Sequence, residues 1–343
     1  MPISLQTFAP VAPDAAFSQQ SVYGMLGYDD PKVLRLFMNS GIDRRHLFIE
    51  SSFRAGETPT QLYQRYKSGA VSLGVQAIRQ AVANTGTEDI GLLVTVSCTG
   101  YLCPGLSAYL IDALNLPPSI QRCDILGLGC AGAVPGLARA VDYVTAHPGK
   151  RALMLAVEIC SAAYYVDDSV ETAIGNAICG DGACAVLVGG ENPSGKASWR
   201  VKEIFSQVQT EYLPLVGFDF KEGFLKIILA REIQELAGPL VKSVVHGFLE
   251  RKGLKMVDIR HWIIHPGGRK VIDHIQKALE LRDAQVQCSR DILREYGNMS
   301  SVTVLFVADH VMRTHPDIRR GDLALMLAMG PGLAVEGALL QWD

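Results

Sequence analysis

Three short stretches carry side chains able to do covalent chemistry: Cys130 in DILGLGCAGAVP (124–135), His265 in RHWIIHPGG (260–268), and Asn298 in EYGNMSS (295–301). Cys130 stands where an apolar strand gives way to a helix, so backbone N–H dipoles at the turn favour its thiolate. Glycines at 127, 129 and 132 allow a tight turn and let a substrate carbonyl come close to the backbone. Pro135 cannot sit deep inside a helix, so the regular helix begins close to it. The alternative use of such a thiol is inert packing, the usual fate of a cysteine among small apolar residues.

His265 closes an apolar strand and precedes Pro-Gly-Gly, which points its ring into whatever cleft lies at the strand end. Its alternative is a hydrogen-bonded core histidine. His261 shares a strand face with it at this spacing, but no third ligand of the right kind lies nearby, which argues against a metal site. Asn298 follows Gly297 between two helix-like segments, where a plain turn is the simple reading; its amide can also donate to a developing oxyanion. A presented thiol, a strand-end imidazole and a loop amide are together the parts of covalent acyl transfer.

The surrounding pattern supplies the frame. Helical periodicity at 74–85 precedes a β-branched run at 90–97, and the alternation continues with a helix at 106–115, a strand at 122–127, a helix at 136–146 and strands at 152–159 and 183–188. Near-continuous apolar strands in this order imply a sheet covered by helices on both faces. ENPSGK (191–196) interrupts the pattern. The same grammar then repeats: a helix over 231–252, a strand at 260–265, helices at 269–281, 289–296 and 301–313, and strands at 323–328 and 333–340. Two α/β halves, 1–195 carrying the Cys and 196–343 carrying the His and Asn, suggest internal duplication.

Composition excludes several classes of function. The 343 residues hold a 48% hydrophobic and 20% charged mixture with a formal net charge of −3 and no Lys/Arg run, so nothing favours nucleic acid or an acidic membrane as partner. No signal peptide and no membrane-length apolar stretch is evident, which implies a cytoplasmic protein. The eight cysteines lie at irregular spacings without a CxxC pair, so free thiols are expected rather than disulfides or a zinc ribbon.

LGLGCAGAVPGLARA around Cys130, GDGA at 180–183, WIIHPGG around His265, EYGNMSSVTVLF around Asn298 and MGPGLAVEGALL at 329–340 together resemble the type III polyketide synthases, the chalcone and stilbene synthase family. The resemblance runs from about residue 32 to the C-terminus. The related ketoacyl synthase III enzymes fit less well because they lack the HPGG and GPG signatures. The resemblance implies a thiolase-like duplicated five-layer αβαβα fold, a homodimer, and acyl-CoA and malonyl-CoA as substrates with no metal or organic cofactor. It implies Cys130 as the nucleophile, with His265 holding it as thiolate and joining Asn298 in binding the thioester oxygen. Lys32 and Arg35 align with basic residues that approach CoA, while a third basic position of that pattern is Asn39. Gly267 and Gly268 would pass the pantetheine close to backbone.

The same alignment sets the pocket at Thr99, Cys103, Cys160, Ala163, Cys179, Gly217, Ser300 and Met329. Two phenylalanines of chalcone-type enzymes align with Cys179 and Met329, two pocket threonines with Cys160 and Ala163, and the methionine that reaches across the dimer with Cys103. Smaller side chains there imply open apolar volume and a medium or long fatty acyl starter, at about 0.8 kcal/mol per buried methylene, cyclised to an alkylpyrone or alkylresorcinol. Two other readings differ in chemistry: a Cys-His-Asn acyl-CoA hydrolase, and a protein of this fold that only binds acyl-CoA or a partner synthase.

Overall fold

A computed structural model describes residues 2–50, 52–190, 197–230 and 232–343. ENPSGK (191–196), and with it the expected boundary between the halves, lies outside the described residues. The first half runs β1 (Ile3–Val11), β2 (Ala16–Ser18), α1 (Gln19–Met25), α2 (Pro31–Met38), β3 (Arg44–His46), α3 (Pro59–Val82), β4 (Ile90–Val96), α4 (Leu106–Leu114), β5 (Gln121–Ile125), α5 (Ala133–Ala146), β6 (Arg151–Ile159), α6 (Val170–Ile178) and β7 (Asp181–Gly189). The second runs β8 (Trp199–Gln207), β9 (Val216–Lys221), β10 (Phe224–Leu229), α7 (Ile233–Arg251), β11 (Ile259–Ile264), α8 (Arg269–Ala278), α9 (Asp283–Tyr296), α10 (Thr303–Thr314), β12 (Leu323–Gly330) and β13 (Ala334–Trp342).

The main sheet has the order β11-β12-β13-β8-β1-β7-β6-β4-β5. Within it one pattern occurs twice: β4 runs parallel to β6, which pairs antiparallel with β7 and β7 with β1; likewise β11 is parallel to β12, β12 antiparallel to β13 and β13 to β8. The halves join where Ile3–Leu5 of β1 pairs with Trp199–Val201 of β8. Three apolar layers separate the elements. Leu93, Leu153 and Leu187 pack under α3 and α4; Val94, Met154, Ile263 and Met326 enclose α5 and α10; Ile264, Leu325 and Leu339 pack under α7, α8 and α9. The result is helix, sheet, helix, sheet, helix, the five-layer arrangement expected.

Local signals explain where the helices start. α3 begins fifteen residues before the periodic run at 74, because Thr58 and Gln61 form a reciprocal capping box with Pro59 in the first turn. Pro135 is the third residue of α5, within the first turn, where its missing N–H costs nothing. α6, absent from the sequence reading, starts at Ser169, whose hydroxyl accepts from the Thr172 N–H. The β9–β10 hairpin was also not anticipated. Its turn is Glu222-Gly223, both at positive φ (53° and 88°), the two-residue form that matches strand twist.

Candidate active site

Each half places one turn against the central layer. Cys130 sits in a short 3-10 segment, Gly129–Ala131, just before α5. Gly129 has φ +50°, and a Cβ there would stand 2.4 Å from Pro331 Cδ, so only glycine lets this turn seat on the 330–332 turn that follows β12. Asn298 lies just before α10, after Gly297 at φ +71°, where a Cβ would meet the Ile178 carbonyl at 2.6 Å. The Asn298 N–H donates to that carbonyl (2.7 Å), and the Gly180 N–H donates to Asn298 O (3.0 Å), which ties the Asn298 loop to the end of α6 and to Cys179.

The Asn298 amide is oriented from two sides. Its Oδ1 accepts from the Ser300 N–H (2.9 Å), which leaves Nδ2 to donate to Gly267 O (3.2 Å) and to face Cys130 Sγ at 3.9 Å. Gly267 also lies beside the His265 ring, its Cβ position 3.7 Å from Nε2. One glycine peptide therefore links the Asn298 amide to the imidazole. Ser300, at φ +49°, brings its hydroxyl to 3.1 Å from Cys98 Sγ.

His265 is 4% exposed and neither ring nitrogen has a hydrogen-bond partner. Burial alone lowers its pKa to about 3, so the free imidazole is neutral. Burial likewise pushes the Cys130 thiol up to about 12, with the Ser300 hydroxyl and Asn298 amide working in the opposite direction. Burial and the hydrogen-bond donors of the turn thus act on the Cys130 thiol in opposite directions.

Cys130, His265 and Asn298 open on one cavity of about 140 Å³, and Thr99, Cys160, Ala163, Cys179, Gly217, Gly267, Ser300 and Met329 line it too. Four of the expected positions do not. Cys103 is exposed beside the cis Cys103–Pro104 peptide, so it opens no volume in this chain's own pocket. Lys32 and Arg35 are exposed on α2, and Gly268 lies just beyond the wall. His261 bonds Asp322 (3.2 Å) instead of joining His265, and among the described residues no group of His, Cys, Asp and Glu is placed to hold a metal.

Several features escaped the sequence reading. The β9–β10 hairpin supplies much of the apolar wall through Val216, Phe218, Ile227, Ile228 and Leu229. Glu158, fully buried at the end of β6, accepts from the Cys98 and Thr99 N–H groups (2.9 and 3.1 Å), the Thr99 hydroxyl (2.8 Å) and the Ser301 hydroxyl (2.6 Å). It thereby holds loops from both halves around the cavity. A lone carboxylate in RALMLAVEI was the available signal. Buried Arg45 donates to the carbonyls of Asn176 and Cys179 and sits over the Phe37 ring at 5.6 Å. Cys160 and Cys179 interact closely, and that contact raises Cys160 and lowers Cys179, the latter helped by Arg45.

Comparison with known proteins adds an independent line. Residues 55–193 match the family model "Chalcone and stilbene synthases, N-terminal domain", and residues 210–342 match its C-terminal counterpart. The chain is 34% identical to a 3,5-dihydroxyphenylacetyl-CoA synthase of Streptomyces toyocaensis over 95% of this chain and 87% of that one. It is 30% identical to the alpha-pyrone synthesis polyketide synthase-like Pks18 of Mycobacterium tuberculosis over 87% of this chain and 72% of the relative. The crystal structure of PKS-I from the brown alga Ectocarpus siliculosus superposes with a TM-score of 0.92 at 28% identity, covering 100% of this chain and 98% of that one.

Proposed function

The chain belongs to the chalcone and stilbene synthase family, the type III polyketide synthases, and on that premise we propose that it extends a medium- or long-chain fatty acyl group, loaded on Cys130, with malonyl-CoA and cyclises the product to an alkylpyrone or alkylresorcinol. The family is one of acyltransferases with a thiolase-like fold that act on CoA thioesters and need no added cofactor. The observation that carries the proposal is the convergence of Cys130, His265 and Asn298 on one cavity with a largely apolar wall.

The chemistry follows from a thiol and an unpartnered imidazole on the same cavity. As Cys130 Sγ attacks the thioester carbon, its proton passes to a vacant His265 nitrogen, and collapse of the adduct returns that proton to the departing CoA thiolate. His265 is then neutral again, with one N–H to donate. When malonyl-CoA loses carbon dioxide, the enolate oxygen gains charge, and the His265 N–H and Asn298 Nδ2–H stabilise it. By the precedent of subtilisin each such donor is worth about 3 kcal/mol. The enolate carbon attacks the acyl carbonyl and Cys130 thiolate leaves, ready for the next transfer. Loss of carbon dioxide makes each extension irreversible.

A fatty starter fits because the hairpin wall offers hydrocarbon and Gly217 has nothing within 4 Å of its Cβ position, so the space beside it is open. A homodimer is also proposed. β5 is an edge strand, paired with β4 on one side only, and Tyr101, Leu126 and Leu128 nearby are 64%, 45% and 37% exposed, an apolar edge that a second copy would cover. The test is mass spectrometry of products from malonyl-CoA and a graded acyl-CoA series. Pyrones or resorcinols from long starters are expected. Extension of only aromatic or very short starters, or product from malonyl-CoA alone, would refute the starter assignment, and free acid without carbon–carbon bond formation would favour the hydrolase.

A further inference from the structure

β11 borders two cavities. His265, just past its end, opens on the cavity of Cys130, whereas Ile259, Arg260, His261 and Trp262 at its start line a second one. Four residues of strand separate His261 from His265, about 13 Å. β11 is also an edge of the main sheet, so the second cavity is walled by α9, the end of α10 and the loop before β12 instead of by another strand.

A thiol and an imidazole meet there. Cys288, on α9, brings Sγ to 3.3 Å from Nε2 of His315, the residue that ends α10, and to 3.7 Å from the Thr314 hydroxyl. Among the described residues no other cysteine has an imidazole nitrogen in hydrogen-bond range. The His315 ring packs edge-on to the His261 ring, with centroids 5.5 Å apart, and His261 Nε2 donates to Asp322 at 3.2 Å. Asp317 and Asp322 line the same cavity, so an imidazolium formed on His315 has acids nearby. Burial raises the Cys288 thiol above its ordinary value, and the Thr314 hydroxyl works against that. A base at 3.3 Å removes the need for a resting thiolate, because the proton can leave as the sulfur attacks.

The surroundings hold polar groups that this chain leaves unmatched. Arg282, exposed at the start of α9, meets the Gln285 amide oxygen at 3.4 Å, and among the described residues no carboxylate lies within ion-pair distance of it. Asp258, exposed just before β11, likewise has no cation within that distance among the described residues. Trp262, 2% exposed on the same wall, leaves its indole N–H without an acceptor among the described residues. A free cation, a free acid and an unpaired N–H suit a ligand that carries carboxylate, ammonium and amide carbonyl groups.

We propose that Cys288 and His315 form a second reactive site, at which Cys288 is modified by small disulfides built from amino acids. The thiol proton passes to His315 Nε2, and the Cys288 sulfur attacks one sulfur of the ligand. The ligand's S–S bond breaks as the mixed disulfide forms, and the departing thiolate takes the proton back from His315. Excess free thiol reverses the exchange.

The test is peptide mapping of the full chain during timed incubation with oxidised glutathione, and in parallel with cystamine, a disulfide that has no carboxylate or amide. Glutathionyl mass is expected on the Cys288 peptide. His315→Ala should slow its appearance about tenfold or more while uptake at exposed Cys103 stays unchanged. Added imidazole should restore part of the lost rate, which a merely structural role for His315 would not allow. Arg282→Ala should slow glutathione uptake several-fold and leave cystamine unaffected. No modification at Cys288, uptake there indifferent to His315→Ala, or an equal loss at Cys103 overturns the proposal.

Discussion

The turn before α5 and the turn before α10 occupy matching places in the two halves, yet one carries the Cys130 thiol and the other the Asn298 amide. Both precede central-layer helices and both rely on a glycine at positive φ to pack tightly, Gly129 in one and Gly297 in the other. The difference lies in what reaches the cavity: Sγ of Cys130 from the first half, Nδ2 of Asn298 and the His265 ring from the second. In the proposed function, the repeated scaffold would bring two unlike chemistries to one acyl group.

The comparison can be broken most sharply in the first half. Cys130→Ala should abolish product formation while the fold survives, since the change removes one atom from a half-buried turn; product mass spectrometry together with a melting curve checks both. In the second half Asn298→Ala should still allow loading of Cys130 but lower kcat for extension about 10²- to 10³-fold, the cost of one lost donor to the enolate oxygen. Steady-state kinetics beside intact-mass detection of the acyl-enzyme separates the two steps.

Glu158 is the carboxylate that ties the halves together, so Glu158→Ala should destabilise the protein by about 3 kcal/mol or more by leaving several buried donors without an acceptor. Urea denaturation would measure it. A gentler change sharpens the pocket side of the comparison. Gly217→Leu fills open space on the hairpin and should shorten the preferred starter, each excluded methylene costing about 0.8 kcal/mol, or roughly fourfold in relative kcat/KM. Competition between starters of graded length would show this shift.

A further effect concerns protonation. His265 has a folded pKa of about 3, below its ordinary 6.5, so between these values the unfolded chain binds the additional proton. Its neutral form therefore contributes stability that is full above about pH 6.5 and is lost as pH falls toward 3. The difference in melting temperature between the native protein and His265→Gln should change across that window and be flat above it.

Much of the frame was legible in the residues. Near-continuous apolar strands such as ALMLAV and IGLLVTV announced the sheet, and glycine-flanked Cys130 and strand-end His265 announced a site. Other elements were hidden for physical reasons. β8 (WRVKEIFSQ) is only partly buried and mixes charge with apolar residues, and β1 carries Pro10 near its end, so neither shows a strong strand pattern. The β9–β10 hairpin does show alternation around Glu222-Gly223, but its role as a cavity wall depends on α6 lying against β10, a tertiary fact. The opposing pull of burial on Cys130 and His265 could not be read from the turn either, because it depends on how deeply both are buried.

The central claim is that one acyl group on Cys130 is served by donors from the other half. Its most direct test is peptide mapping of the protein after incubation with a long-chain acyl-CoA, before and after malonyl-CoA is added, for the native chain and Asn298→Ala. Acyl mass on the Cys130 peptide in both, cleared by malonyl-CoA at the native rate only when Asn298 is present, is the predicted result. Acylation of Cys98, Cys160 or Cys179 instead, or equal clearance in both proteins, would contradict it.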